Sequence, residues 1–182
     1  MAYTPPPELA GLTIAQVAEE VAARKLPPSD QWNPPETEHS RMRIAANGRW
    51  FHDESPITRP AMVRAFASLL RREKDGRYFL VTPHYKQAID VEDAAFVAVD
   101  MKAGGDGLAF RLNTDELVVA GADNPLRAAG KPDTPAIYLG VRNGCEARLD
   151  RSTWLQLADH ALAQGDTLEV QSDGETFSLV PR

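Results

Sequence analysis

Few residues in this chain have the type and spacing that chemistry demands. In "RWFHDE", His52 and Asp53, with Glu54 beside them, offer nitrogen and oxygen donors to a metal ion. A catalytic zinc site needs three protein ligands, so a distant histidine, His84 or His39, would have to join them. That would give a metal-assisted hydrolase built on His52, Asp53 and His84, although the spacing follows no metal-binding motif. A His-Asp-Glu run at a strand end otherwise reads as solvated rim. Nucleophilic catalysis has less support. Ser55, Ser68, Ser152 and Cys145 lack a Gly-x-Ser-x-Gly elbow, and Cys145 follows Asn-Gly in a turn with little to lower its thiol pKa. His160 lies beside Asp159 but off the apolar face of its helix. No catalytic residue is assigned.

Binding residues are easier to nominate. Arg59 and Arg151 each sit at the start of a predicted helix, where an arginine beside free N–H groups can grip a carboxylate or phosphate. The competing structural role is an ion pair that fixes the junction between helix and hairpin. Trp32, Trp50 and Tyr78 are candidates for an apolar groove with Thr82 and His84 at its lip, although aromatic residues of sheet proteins mostly fill cores. "GGDG" at 104–107 resembles a phosphate loop only in composition. A strand follows it where a phosphate loop needs a helix, so it reads as a hairpin turn.

The elements that must position these residues begin with a leader, residues 1–40. Within it "LTIAQVAEEVAARK" places Ile14, Val17, Ala18, Val21 and Ala22 at helical spacing behind a Thr13 cap. The proline-rich "LPPSDQWNPPETEHS" follows as an extended arm anchored by Trp32. A first unit, 41–100, opens with a hairpin at Asn47-Gly48, a dipeptide favoured where both turn residues need positive φ. Its helix follows, capped by Thr58, with Pro60 in the first turn, an apolar face of Met62, Val63, Phe66, Leu69 and Leu70, and Arg71 and Arg72 at its C-terminus. "KDGRYFLVTP" closes the unit as turn and strand. Residues 101–135 read as a β-rich connector, with "GADNPLRAAGKPDTP" as loop. Residues 136–182 repeat the first unit: a hairpin at Asn143-Gly144, an Asp150 cap, a helix face of Trp154, Leu155, Ala158, Ala161 and Leu162, and a closing "DGETFSLVP" that echoes "DGRYFLVTP" at 75–83. The expected fold is thus α+β, with two β-hairpin–helix–strand units joined by a β-rich segment and preceded by a helix and an arm.

Composition sets bounds. The chain has 182 residues, 43% hydrophobic and 25% charged, with a formal charge of −6, as in an ordinary globular protein. That acidity argues against nucleic-acid binding and against adhesion to an anionic membrane. One cysteine permits neither an intramolecular disulfide nor a multi-thiolate metal site. No run approaches the roughly 18 apolar residues of a membrane span. "MAYTPPPELAG" has neither the basic nor the apolar region of a secretory signal, so a cytoplasmic location is expected.

Several stretches together resemble a known family: "WNPP", "MRIAANGRWFH", "SPITRPAMVRAFASLLRREKDGRYFLVTP" and "VEDAAFVAVDM". They are similar to the proteobacterial proteins grouped as domain of unknown function 1285, whose pattern includes Trp-x-Pro, Gly-x-Trp, Pro-Ile-x-Arg, Val-Arg-x-Phe and Asp-Gly-x-Tyr-x-Leu-Val-Thr-Pro. The similarity runs from Trp32 to the C-terminus and is dense between Met42 and Met101. It implies an α+β fold with repeated motifs and a conjectured regulatory or signalling role, and it carries no catalytic residue set. The family pattern has a Cys-Gly pair after Trp-x-Pro, where this chain has "ETEHS".

These readings converge on a non-catalytic binding or regulatory module with no cofactor. It would recognise a small anionic ligand or a protein partner between its two units, using Trp50, Arg59 and His84, with Tyr78, Thr82 and Arg151 as further contacts. A third class is a structural interaction protein whose N-terminal helix docks on a partner. Homo-oligomer formation is compatible with all three.

Overall fold

The computed structural model describes residues 8–182. The first seven residues, which open the expected leader and underlie the expectation of no secretory signal, lie outside them. Helix α1 (Ile14–Ala23) begins with a capping box, in which Thr13 Oγ1 accepts from the Gln16 N–H at 3.1 Å and Gln16 Oε1 accepts from the Thr13 N–H at 2.9 Å. The helix packs on the chain's own sheet, with Leu9, Leu12 and Val17 clustered against Ala109 and Leu117. The arm that follows is stitched to the body. Arg71 donates to the carbonyls of Ser29 and Trp32, and Arg77 grips Glu36 through both nitrogens at 2.9 and 3.0 Å, which holds the Glu36 carboxyl below its usual pKa.

Two six-stranded sheets form the body. The first contains β1 (Met42–Ile44), β2 (Trp50–His52), β3 (Ser55–Pro56), β4 (Leu70–Arg72), β5 (Tyr78–Val81) and β6 (Lys86–Val91) in the order β3-β2-β1-β6-β5-β4. The second contains β7 (Phe96–Gly104), β8 (Gly107–Leu112), β9 (Leu117–Val119), β10 (Leu126–Lys131), β11 (Thr134–Gly140) and β12 (Glu146–Leu149) in the order β10-β11-β12-β7-β8-β9. Each sheet is two three-stranded antiparallel meanders joined at the centre by one parallel pair. That pair is β1 with β6 (Arg43 opposite Asp90) and β7 with β12 (Ala147 opposite Phe96). Helix α2 (Pro60–Ala67) links β3 to β4. Helix α3 (Arg151–Gln164) follows β12, lies over β7 and β12, and leads to a separate hairpin, β13 (Glu169–Ser172) with β14 (Glu175–Ser178).

The molecule is therefore a mixed α/β protein with two similar halves, as expected in outline, but the repeating unit is different. The sequence reading matches β1–β2–α2–β5 with β11–β12–α3–β14, with β13 as an added strand. The sheets match β1–β6 with β7–β12, because in each the first strand of the first meander lies parallel to the last strand of the second. Turn dipeptides and helix starts record local geometry, whereas non-local strand pairing decides which segments are equivalent. Accordingly, strands from 101–135 belong to the second sheet. There Leu126–Lys131, read as part of a loop, is an edge strand held by β11.

Local expectations also shift. The α2 cap is Arg59 rather than Thr58, and no side chain caps the helix. The helix ends at Ala67, where the Ser68 hydroxyl donates to the Ala65 carbonyl at 2.6 Å and the Leu69 N–H turns back to Phe66, so Leu70, Arg71 and Arg72 become β4. In α3 the Asp150 cap holds, accepting from the Thr153 N–H at 2.8 Å. The buried stripe is Thr153, Leu157 and Ala161, with Leu155 and Leu162 outward, since position rather than bulk selects the face. Both residues of Asn143-Gly144 have positive φ, as expected, whereas at Asn47-Gly48 only the glycine does.

One apolar core spans the halves, running from Ile44, Trp50 and Leu70 through Phe96, Phe110 and Leu112 to Leu139 and Leu157. A buried ionic tie accompanies it. Glu116, its side chain 4% exposed, pairs with Arg24 at the end of α1 (2.8 Å) and with Arg142, which also donates to the Ala67 carbonyl at the end of α2.

Candidate binding cleft

Helix α2 stands against the first sheet and leaves two recesses beside it. The larger is a cleft of about 1140 Å³, lined by Met42, Ile57, Met62, Phe66 and Leu80, with His39, Arg41, His52 and Arg59 among its polar residues. The apolar residues come from β1, β5, α2 and the link before it, so the floor depends on the sheet being closed. Phe66 is fixed from behind by Trp50, whose ring stacks on it at 6.4 Å and 19°.

Most charged groups around the cleft are already committed. His39 Nε2 lies 3.1 Å from Asp90, Arg41 pairs with Asp53 at 3.3 Å, and His52 lies 3.8 Å from Asp53. Arg59 differs. Its side chain has no hydrogen bond, ion pair or ring contact among the described residues. Arg151 is likewise without a partner at the start of α3, where it lines a third recess with Trp154 and Asn47. Among the described residues, neither arginine forms the ion pair expected of a junction fixture.

The other nominated residues are dispersed. Trp50 is core, 2% exposed. Tyr78 is buried on β5 with the Arg72 guanidinium 5.3 Å above its ring, and burial raises its pKa. Thr82 organises the β5–β6 turn by accepting from the N–H groups of His84 and Tyr85, and neither Thr82 nor His84 lines the cleft. His52, Asp53 and His84 are not brought together. Among the described residues, no group of three or more His, Cys, Asp or Glu side chains is placed to hold a metal ion. Burial pushes the Cys145 thiol up to about 12, so the thiolate is absent at neutral pH. "GGDG" is the β7–β8 hairpin turn. Among the described residues no helix is long and apolar enough to cross a membrane.

Sequence reasoning missed Met42, Leu80, Arg41 and Gln87 as cleft residues. None carries a local signal, because the pairing of β1 with β6 is what makes them neighbours.

The larger recess is thus an apolar-floored cleft with Arg59 as its one uncommitted cation among the described residues, set on a mixed α/β body of two six-stranded sheets in two similar halves. The chain belongs to the DUF1285 family. "Domain of unknown function (DUF1285), N-terminal domain" matches residues 27–94 and "Protein of unknown function (DUF1285), C-terminal domain" matches 95–179, so the boundary falls between β6 and β7. A crystal structure of a DUF1285 family protein from Silicibacter pomeroyi DSS-3 superposes with a TM-score of 0.76 at 39% identity, covering 92% of this chain and 94% of that one. A DUF1285 family protein from Shewanella baltica OS155 shares the fold, with a TM-score of 0.54 at 24% identity over 65% of this chain and 90% of its own. No curated protein matches the chain.

Proposed function

We propose that the protein is a non-catalytic binding module for a small anion with an apolar body, held in the cleft beside α2. The observation that carries this reading is Arg59, a guanidinium with no partner among the described residues, at the edge of a recess floored by Met42, Met62, Phe66 and Leu80. Met62 is 41% exposed there, an apolar side chain left to solvent in the free protein. A carboxylate or phosphate on Arg59 would gain charge-assisted hydrogen bonds, and an alkyl body over the floor would add burial. A regulatory or signalling role follows only if the bound and free proteins differ in what they offer a partner, since a ligand shifts an equilibrium by its differential affinity alone.

Octanoate, which has both parts of the expected ligand, is a suitable probe in isothermal titration calorimetry. Saturable binding is expected, weakened at least about tenfold in Arg59→Ala, the value of one charge-assisted hydrogen bond. Absence of saturable heat, or an unaltered affinity in the variant, would defeat the reading.

A further inference from the structure

The second recess beside α2 lies where the halves meet, and it points to a separate site. Its volume is about 400 Å³, within the range of ligand pockets. The N-terminal half supplies Arg49, Trp50, Val63 and Arg64, while the C-terminal half supplies the β8–β9 turn, Asn113, Thr114 and Asp115. Pro56, Ile57 and Thr58 form a wall shared with the cleft, but Arg59 lines only the cleft, and Trp50 and Thr114 line only the junction.

Two of its residues are incompletely satisfied. Trp50 and Thr114 are 2% and 3% exposed, yet the indole Nε1 and the hydroxyl Oγ1 have no hydrogen-bond partner among the described residues. A polar group buried without a partner destabilises the fold. Here two such groups, one from each half, belong to residues that line one cavity. Of the other buried polar side-chain atoms without partners, Arg71 Nε and Glu116 Oε1 belong to groups whose remaining polar atoms are engaged, and Thr153 Oγ1 lies in the first turn of α3.

The chemistry of these groups selects the occupant. An indole N–H can only donate, and a threonine hydroxyl can do so. Arg49 stacks on Phe51 at 5.6 Å without a carboxylate partner among the described residues, whereas Asp115 is already engaged by Arg64 and Arg111. Donors and a cation therefore await an acceptor. We propose that the junction cavity is a second binding site, distinct from the cleft, for a short-chain carboxylate held by Trp50 Nε1, Thr114 Oγ1 and Arg49.

The test is a titration of ¹⁵N-labelled full-length protein with sodium propionate, with sodium chloride at matched ionic strength as control. The three indole N–H signals are assigned with Trp32→Phe and Trp154→Phe. The Trp50 signal should shift saturably with propionate and not with chloride. Thr114→Val, which removes only the hydroxyl, should weaken binding at least fivefold and leave the melting temperature of the free protein unchanged or higher, because an unpaired buried hydroxyl is then gone. Thr114→Ser should retain binding. Arg59→Ala should leave the Trp50 response intact, so failure of the cleft reading and failure of this one are separable. A Trp50 signal that does not saturate, a Thr114→Val protein that binds normally, or one that melts earlier would each overturn the proposal.

Discussion

In the N-terminal half the two meanders are joined by α2, whereas the equivalent join in the C-terminal half is the loop 120–125. The sheets are wired identically, so the difference isolates what the helix adds. Arg59, Met62 and Phe66 line the cleft, while Pro60, Val63 and Arg64 line the junction cavity. Loop 120–125 supplies no residue to either. The C-terminal half places its helix after the sheet and over the central parallel pair, where it buries Thr153, Leu157 and Ala161. The same sheet can thus carry a helix that seals the core or one that props open a recess. Which it does depends on the connection that holds the helix.

If α2 owes its position to the other half, cutting its tie should have the largest effect. Glu116 anchors Arg142, and Arg142 holds the carbonyl at the end of α2. Removing one member of a buried ionic cluster leaves charges without compensation. Glu116→Ala should therefore lose about 3–5 kcal/mol of unfolding free energy in a urea titration. A loss below about 1 kcal/mol would mean that packing alone positions the helix.

The hairpin turns of the two halves offer a finer comparison, since each touches the opposite half. A Cβ on Gly144 would sit 2.6 Å from the Arg72 carbonyl oxygen, whereas one on Gly48 would meet the Asn113 amide at 2.7 Å and Val97 at 2.9 Å. Both glycines have left-handed φ, which costs an alanine about 1–2 kcal/mol at either place. Only at Gly144 is the nearest obstacle backbone, and the Arg72 N–H is also bound to the Asn143 carbonyl there at 2.8 Å. Gly144→Ala should be the more destabilising by about 1 kcal/mol in the same titration. Equal losses would show that the φ requirement outweighs the contact.

How much of this was legible in the sequence divides along the same line. Turns, strands and two helix caps could be read because Asn-Gly, Asp-Gly, Thr13 and Asp150 act within a few residues of themselves. Arg59 was legible as an arginine at a helix start. Its freedom from partners was not, because that depends on where every carboxylate ends up. Thr114 gave no signal at all: "NTDE" is an ordinary turn until the second sheet carries it to Trp50 at the junction. The true repeat was hidden for a related reason. Parallel pairing of β1 with β6 and of β7 with β12 joins strands far apart in the chain, and no local pattern announces it.

The smallest predicted effect bears on the apparent equivalence of the two helix starts. Sequence places Thr58 and Asp150 at matching positions, each followed by an arginine. In the structure Asp150 accepts from the Thr153 N–H, while Thr58 lies before an Arg59 cap that no side chain satisfies. Asp150→Ala should cost about 1 kcal/mol, the usual worth of a cap, and Thr58→Ala only a few tenths at most. The consequence reaches the ligand proposal. At α3 a carboxylate already occupies the helix start beside Arg151, so an incoming anion would meet a like charge. At α2 no side-chain carboxylate caps the helix, and the one acidic residue lining the cleft is Glu38. Arg151→Ala should accordingly leave octanoate binding unchanged within twofold by calorimetry, while Arg59→Ala weakens it. Parallel losses in the two variants would restore the equivalence that the sequence suggests and place the anion site in both halves.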